Sequence, residues 1–375
     1  MVAALGACGE ARLSSSGQCV FGDEHHAATA PDGVFDGVDL VLAGETALVA
    51  WSHREGLFVR VLDTEGRPAG EVKRIGARCD GGVDAAASAS GWIVACLARA
   101  VPSKDHAGRV VLAWLDPTLG VRARSAVGSA GSYSRGVDVV ADRDRAIVVW
   151  HDGTPGDHRV WLARVAPGET DVEPRLVSRP GLAAGAATVA LYRSRVIVAW
   201  GETWFDDGGY LVGQVLVSDL RGAPREMAVI IHDDPRPVLG QDDDGLLLAY
   251  RDEQPAGTRA RLFLRRVSDE LETLGEPVMV GRADGAGRAA VLPCQGAITT
   301  VAPHSYGRWE VLVGLNRLDG ALGRIGIERQ MYEHGADFSQ SAATCAGDHL
   351  LVLTAERGST TRPTAALSTT RVDCS

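Results

Sequence analysis

A short apolar run that ends in an aromatic residue recurs along the chain at a nearly constant spacing. The clearest copies are ALVAWSH at 47–53, AIVVWHD at 146–152, VIVAWGE at 196–202 and LLLAYRD at 246–252. Weaker copies lie at 92–98, 297–303 and 350–356. The anchor positions of the seven copies are Trp51, Cys96, Trp150, Trp200, Tyr250, Val301 and Thr354, which lie 45, 54, 50, 50, 51 and 53 residues apart. Seven copies at this period are the sequence signature of a solenoid or a propeller.

Other features keep phase with the anchors and predict four short strands in each repeat. The tripeptide Gly-Val-Asp precedes the first three anchors, at 37–39, 82–84 and 136–138. A second apolar run follows each anchor and usually ends at an Asp and Gly turn, as at Asp63 and Gly66. The content of 45 Gly and 16 Pro suits many tight turns. Helical periodicity is essentially absent, so the predicted class is all-β.

This pattern resembles the bacterial seven-bladed β-propellers, including exported and lipoprotein propellers, over nearly the whole chain. The resemblance implies seven blades of four antiparallel strands. The Gly-His…Trp-Asp pattern, the paired glycines of kelch repeats and the S-x-D-x-G-x-x-W box of sialidases do not occur, so only the architecture is implied and no catalytic residue. The last repeat lacks a fourth strand, whereas residues 19–30 precede the first Gly-Val-Asp as a fourth strand would. We therefore predict one propeller domain over 19–375, closed when the N-terminal strand joins the last blade.

The first residues resemble a different bacterial signature. Leu5-Gly6-Ala7-Cys8 is similar to the lipobox of bacterial lipoproteins, in which the cysteine is lipidated. We expect residues 1–18 to be the remnant of a signal peptide with its lipobox and tether, with the true start upstream and a lipid on Cys8. The alternative is an apolar N-terminus with an incidental cysteine. The lipid reading places the protein in the cell envelope, on the periplasmic or outer surface, or in the secreted fraction.

The number of cysteines fits that location. Without Cys8 six cysteines remain, an even number that can form disulfides in an oxidising compartment. Six cysteines permit fifteen pairings, and the propeller topology selects among them. It predicts Cys19–Cys374 at the ring closure, Cys79–Cys96 within one repeat, and Cys294–Cys345 between the last two blades.

Charge and motifs exclude several classes of function. The net charge of −10 disfavours nucleic acid as a partner, because phosphate binding requires clustered cations. No stretch is long and apolar enough to span a bilayer, so we expect membrane contact only through a lipid anchor. No motif for a cofactor or a metal is present, and we predict neither. We expect a monomer.

The candidate site lies on the face that carries the loops after the anchors and the starts of the inner strands. These loops are the longer and more varied ones, and function tends to sit on such loops above a rigid scaffold. The candidate ligand-binding residues are Asp39, Asp84, Asp138, His53, His151, Asp152, Glu202, Trp204, Arg251, Asp252, His304 and Glu356. For each acidic residue alone, the alternative is a structural role in which the carboxylate accepts backbone amides. Trp204 could stack on a sugar ring or fold back over its blade.

Three functions remain open at this point. The leading interpretation is a noncatalytic, cell-envelope or exported propeller that binds a protein or carbohydrate partner through its loop-rich face. The second is a propeller-type glycoside hydrolase or lyase that uses carboxylates at the rim, and the third is a structural scaffold. A hydrolase should hold two carboxyl groups roughly 5–10 Å apart over the central funnel, with a raised pKa on one of them.

Overall fold

The described strands form seven sheets of four antiparallel strands each, arranged as the blades of a ring. The computed structural model describes residues 19–31, 33–99, 108–128, 135–154, 157–205, 207, 211–231, 235–252, 260–282, 289–305, 311–322, 329–331, 340–356 and 364–374. In this part of the chain no helix has the length and hydropathy needed to cross a membrane. The seven four-stranded sheets make the protein a seven-bladed β-propeller, as the sequence repeat predicts.

Each blade runs from an inner strand A, next to the ring axis, through B and C to an outer strand D. The N-terminal strand is β1 (Cys19–Ala30). Blade 1 contains β2 (Gly37–Ala43), β3 (Thr46–His53), β4 (Gly56–Asp63) and β5 (Lys73–Gly76). Blade 2 contains β6 (Cys79–Ser88), β7 (Gly91–Arg99), β8 (Gly108–Leu115) and β9 (Val121–Val127). Blade 3 contains β10 (Arg135–Asp142), β11 (Arg145–Thr154), β12 (Asp157–Val165) and β13 (Arg175–Leu176).

The remaining blades repeat this order. Blade 4 contains β14 (Ala183–Tyr192), β15 (Arg195–Phe205), β16 (Leu211–Ser218) and β17 (Arg225–Ile231). Blade 5 contains β18 (Val238–Asp242), β19 (Gly245–Asp252), β20 (Arg261–Val267) and β21 (Thr273–Arg282). Blade 6 contains β22 (Ala290–Cys294), β23 (Ala297–Ser305), β24 (Val311–Leu318) and β25 (Arg329–Met331). Blade 7 contains β26 (Gln340–Ala346), β27 (His349–Glu356) and β28 (Ala365–Cys374), with β1 as its strand D.

The ring closes at blade 7 through the two ends of the chain. β1 pairs antiparallel with β28, in a register that runs from Cys19 opposite Cys374 to Ala30 opposite Ala365. This pairing satisfies a sheet edge that would otherwise expose its backbone donors and acceptors. The closure predicted from the missing fourth strand is confirmed.

Three disulfides fasten the ring, and they are the three predicted pairs. Cys19–Cys374 joins the two strands of the closure, Cys79–Cys96 joins strands A and B of blade 2, and Cys294–Cys345 joins blades 6 and 7. Disulfides of this kind are typical of proteins outside the reducing cytosol. The three bonds therefore indicate an extracellular or exported protein.

The apolar core of the described chain is divided into seven clusters, and each cluster lies between two neighbouring blades. The anchor residues are part of these layers. Trp51 packs between blades 7 and 1, Trp150 between blades 2 and 3, and Trp200 between blades 3 and 4. Each of these tryptophans is at most 1% exposed. Burial of one large apolar side chain contributes roughly 1.5–3 kcal/mol to the free energy of unfolding. The anchor residues therefore recur because each blade needs a large apolar side chain in its core.

Neighbouring inner strands approach closely near the axis, and glycine allows that approach at two positions. A Cβ on Gly37 would lie 2.5 Å from the backbone N of Val83 in blade 2. A Cβ on Gly240 would lie 2.5 Å from the carbonyl O of Val291 in blade 6. Neither site has room for a side chain. The convergence of the inner strands at such points sets the width of the central funnel.

Candidate functional site

A cavity of about 700 Å³ lies on the ring axis, at the end where the inner strands begin, and we call it the funnel. All seven blades contribute to its lining in the described part of the chain. This is the face that the sequence predicts for the site, because the loops that follow strand B and precede strand A share this end of each blade. The cavity is within the ~300–1,000 Å³ range of small-molecule pockets.

Asp39 and Asp84 form an acidic wall on blades 1 and 2. Asp39 Oδ2 accepts a hydrogen bond from Ala85 N at 2.8 Å, and Asp84 Oδ2 accepts one from Val139 N. Each donor belongs to the inner strand of the next blade. These two carboxylates of the Gly-Val-Asp tripeptides therefore join neighbouring blades, and they also face the funnel.

The third of these carboxylates continues the series away from the cavity. Asp138 Oδ2 accepts a hydrogen bond from Val189 N at 2.7 Å, which links blade 3 to blade 4. Asp138 is buried and is not part of the cavity lining. The sequence left open a structural role in which each carboxylate accepts a backbone amide. All three aspartates make such a contact.

Asp39 has the clearest electrostatic perturbation in the funnel. Burial raises the pKa of Asp39 from 3.8 to about 6, and the negative charge of Asp138 adds to the rise. Hydrogen bonds from the amides of Leu40 and Ala85 and with the carboxyl group of Asp84 oppose it. A hydrogen bond between two carboxyl groups requires a proton on one of them. The pair therefore holds a proton at a higher pH than an exposed aspartate would.

The wall opposite the carboxylates is basic. Arg236 and Arg251 line the cavity from blade 5. In a ring of seven blades, blade 5 faces the junction of blades 1 and 2, so the arginines lie across the funnel from Asp39 and Asp84. The two sides of the cavity thus differ in the sign of their charge.

Two histidines of blade 3 occupy the wall between the acidic and basic sides. The rings of His151 and His158 meet edge to face, with centroids 5.9 Å apart. His151 passes between two glycines of inner strands, since a Cβ on Gly136 would lie 3.1 Å from His151 Cε1 and one on Gly185 would lie 3.7 Å from His151 Cδ2. Small residues of blades 3 and 4 therefore open the space that this imidazole fills.

Glu202 is placed in a buried network and not in the funnel. Its side chain is 0% exposed. Its carboxylate accepts hydrogen bonds from Trp200 Nε1 at 3.0 Å, from Gln214 Nε2 at 3.1 Å and from the Arg179 guanidinium at 2.6 Å. Asp152 repeats part of this arrangement in blade 3, because it accepts a hydrogen bond from Trp150 Nε1 at 3.3 Å. An acid two residues after the anchor thus holds the indole N–H.

Blade 1 has a histidine at the position of that acid. His53 is buried and stacks on Phe58, with ring centroids 4.6 Å apart. His53 Nδ1 accepts a hydrogen bond from Glu55 N at 3.3 Å, and Trp51 Nε1 has no hydrogen-bond partner in the described chain. His53 therefore takes part in packing of the blade and does not line the funnel.

The other predicted residues lie at strand ends outside the described lining. Trp204 is half-buried in β15 and pairs in register with Val212. Asp252 ends β19 and Glu356 ends β27. His304 lies in β23, but its side chain is outside the described part of the structure, as is the whole of Cys8. Their roles as ligand contacts, and lipidation of Cys8, stay predictions.

The funnel thus contains four of the predicted residues, Asp39, Asp84, His151 and Arg251, and several that the sequence did not reveal. His158 reaches the cavity because it pairs across the hairpin with Gly153, two residues after His151. Arg236 reaches it from the segment just before β18. Its position between Pro235 and Pro237, which restrict the backbone, is the signal that could have identified it.

The funnel contains histidines and carboxylates, side chains that are common metal ligands in proteins. No group of three or more His, Cys, Asp or Glu side chains in this part of the chain has the geometry to hold an ion. Hydrogen bonds and charge are the interactions that these groups offer to a ligand.

Comparisons with known proteins identify the architecture. No protein-family model and no curated protein matches the sequence. Trypanosoma rangeli sialidase, in complex with 2-keto-3-deoxy-D-glycero-D-galacto-2,3-difluoro-nononic acid, is similar in structure with a TM-score of 0.50 and 10% identity. The match covers 88% of this chain and 58% of that sialidase, so the chain spans little more than half of its length.

Two further solved structures are similar at lower scores. A subtype N10 neuraminidase-like protein of A/little yellow-shouldered bat/Guatemala/060/2010 has a TM-score of 0.47 and 10% identity, over 78% of this chain and 92% of that one. The α-L-arabinofuranosidase of Lactobacillus brevis has a TM-score of 0.41 and 10% identity, over 63% and 89%. At 10% identity, the similarity to the Trypanosoma rangeli sialidase shows a shared fold alone.

Proposed function

We propose that this protein is a noncatalytic binding protein that holds a polar, anionic carbohydrate-type ligand in its central funnel. The observation that carries the proposal is the division of charge in the cavity, with Arg236 and Arg251 facing Asp39 and Asp84. Guanidinium groups bind carboxylates through paired N–H donors, and carboxylates accept hydrogen bonds from sugar hydroxyls. A sugar acid presents both groups. Sialic acid derivatives in the structurally similar sialidase are ligands of this type.

The carboxyl geometry supports binding over glycoside hydrolysis. Asp39, with its pKa raised to about 6, is the one described group that favours a hydrolase. However, Asp39 and Asp84 are in hydrogen-bond contact, whereas the two carboxyl groups of retaining or inverting glycosidases are about 5–10 Å apart. Sialidases use a tyrosine nucleophile instead, and no tyrosine lines the described part of the funnel.

The test is a glycan array followed by calorimetric titration of the purified protein with acidic and neutral saccharides. We expect saturable binding of carboxylated sugars, and a loss of about tenfold or more in affinity in Arg236→Gln, equivalent to ~1.4 kcal/mol. Arg145→Gln is the matched control, because Arg145 is exposed at the start of β11 and away from the funnel. Turnover of a bound glycan would contradict the noncatalytic binding function and favour the glycoside hydrolase or lyase. If the protein neither binds nor turns over any glycan, the result would favour the structural scaffold.

We also propose that the protein acts at the cell envelope, held there by a lipid on Cys8. The three disulfides support an exported location. Membrane fractionation of cells that express the full chain tests the anchor. We expect the native chain in the membrane fraction and Cys8→Ser in the soluble fraction, whereas equal partition of both would rule out lipidation.

A further inference from the structure

A second cavity lies on the opposite face of the ring, in the groove between blades 3 and 4. Its volume is about 470 Å³. It is bordered by the end of β12, the segment before β13, the turn that precedes β15 and the turn that follows β16. The groove is thus built from the short connections between strands A and B and between C and D. It is independent of the funnel, which opens at the other ends of the strands.

Arginine dominates the charge of this groove. Arg164, Arg175, Arg195 and Arg221 line it, against two acidic residues, Glu173 and Asp219. Four positive charges less two negative charges leave a formal charge of +2. The whole chain, with 38 Lys and Arg and 48 Asp and Glu, carries −10. The groove is therefore a local basic site on an acidic protein.

One of the two acidic residues of the groove, Asp219, is partly engaged by the turn itself. Asp219 Oδ1 accepts a hydrogen bond from Arg221 N at 3.1 Å, and Asp219 Oδ2 lies 4.0 Å from Arg195 Nη1. Arg175 Nη2 donates a hydrogen bond to the carbonyl O of Leu220 at 2.8 Å, which holds its guanidinium across the groove. The negative charge of Asp219 is therefore partly neutralised by one arginine and one backbone amide.

Arg164 and Arg221 have no such compensation within the described chain. The structure records no ion pair for either side chain there, and both residues are exposed at the groove. Two exposed guanidinium groups line the same groove as the fixed Arg175 and offer N–H donors to an oxygen-rich anion. Planar guanidinium forks match the oxygens of phosphate and sulfate in a bidentate manner.

We propose that this groove is an oxyanion-binding site that takes the phosphate or sulfate monoester group of a small ligand. The volume accommodates such a group with part of the molecule that bears it. An extended polyanion is disfavoured, because the chain as a whole carries a net charge of −10, which repels a long negative chain. The charge contrast selects one anionic group at one place.

The probes are glucose 6-phosphate and glucose 6-sulfate, with glucose as the uncharged reference. Calorimetric titration of the intact protein should give saturable binding of one or both esters and none of glucose. The double variant Arg164→Gln/Arg221→Gln should weaken that binding about tenfold or more. Arg143→Gln is the matched control, since Arg143 is an exposed arginine at a turn of blade 3 that does not line the groove. We expect it to bind within about twofold of the native protein.

Two controls keep the result interpretable. Thermal unfolding of the double variant should match that of the native protein, because neither side chain makes an ion pair in the described chain. Arg236→Gln in the funnel should leave ester binding unchanged, which separates this site from the proposed carbohydrate site. The proposal is overturned if neither ester binds the native protein at millimolar concentration, or if the double variant binds as tightly as Arg143→Gln.

Discussion

Blades 1 to 4 and blades 6, 7 and 1 are joined to one another by different chemistry. In the first group a carboxylate of each inner strand accepts the amide of the next blade, at Asp39, Asp84 and Asp138. The equivalent position, set by its register against strand B, is Thr188 in blade 4 and Ala342 in blade 7. Blades 6 and 7 are joined by Cys294–Cys345. Two devices thus solve the same problem in one ring.

The junction of blades 7 and 1 relies on contacts from a turn of blade 1. Thr369 Oγ1 donates to the carbonyl O of Gly66 at 2.6 Å, and His349 hydrogen-bonds the carbonyl O of Thr64. Arg371 forms an ion pair with Glu65. Since blade 7 combines both chain ends, its integrity also depends on Cys19–Cys374. The repeat thus preserves the packing between blades, while the bonds between blades vary from one junction to the next.

Removal of the closure disulfide should have the largest effect on stability. The Cys19→Ser/Cys374→Ser variant releases a loop of 355 residues, whereas Cys79→Ser/Cys96→Ser releases one of 17. Loop entropy assigns about 6 kcal/mol to the first and about 3 kcal/mol to the second. Chemical unfolding of both variants should therefore show the greater loss of unfolding free energy at the closure. An equal loss in both would show that the strand pairing of β1 and β28 closes the ring without help from the bond.

Loss of one carboxylate between blades 3 and 4 should have a smaller effect. Asp138→Ala leaves the Val189 N–H without its acceptor in a buried site. Such a group costs about 1–3 kcal/mol of unfolding free energy. Asp157→Ala is the control, because Asp157 is an exposed aspartate with a surface ion pair to Arg159 and should change stability by less than about 0.5 kcal/mol. Similar losses in the two variants would contradict the role of the carboxylate in joining the blades.

The sequence predicts packing in this fold better than polar contacts. Trp150 and Trp200 recur in phase, and a period reports burial because every blade must fill the same layer against its neighbour. The disulfides followed from topology for the same reason. The partners of the carboxylates did not, since Asp39 and Asp138 reach amides 46 and 51 residues away.

The candidate site was predictable as a face and not as a set of residues. Glu202 and Arg251 both follow an anchor, yet one enters a buried network and the other lines the funnel. The side on which a residue projects depends on its register in the blade, because successive side chains of a strand point to opposite faces. Arg236 lies before an inner strand, where no apolar period marks it.

The smallest predicted effect concerns the pH dependence of Asp39, the carboxylate that joins blades 1 and 2. Burial raises the pKa of Asp39 to about 6, from 3.8 when unfolded, so the folded protein binds more protons between these values. Stability that Asp39 contributes is present below pH 4 and is lost as the pH rises through 6. In Asp39→Asn this loss disappears, and the variant should gain roughly 1–2 kcal/mol relative to the native protein between pH 4 and pH 7. Unfolding free energies at these two pH values provide the measurement.

An aspartate with the opposite shift provides the control for that measurement. A hydrogen bond from the Thr118 side chain holds the pKa of Asp116 below its usual value. Its contribution is therefore present above pH 4 and is lost only at lower pH. The difference between native protein and Asp116→Asn should then stay constant between pH 4 and pH 7. If Asp39→Asn behaves in the same way, Asp39 is ionised throughout that range and burial does not raise its pKa.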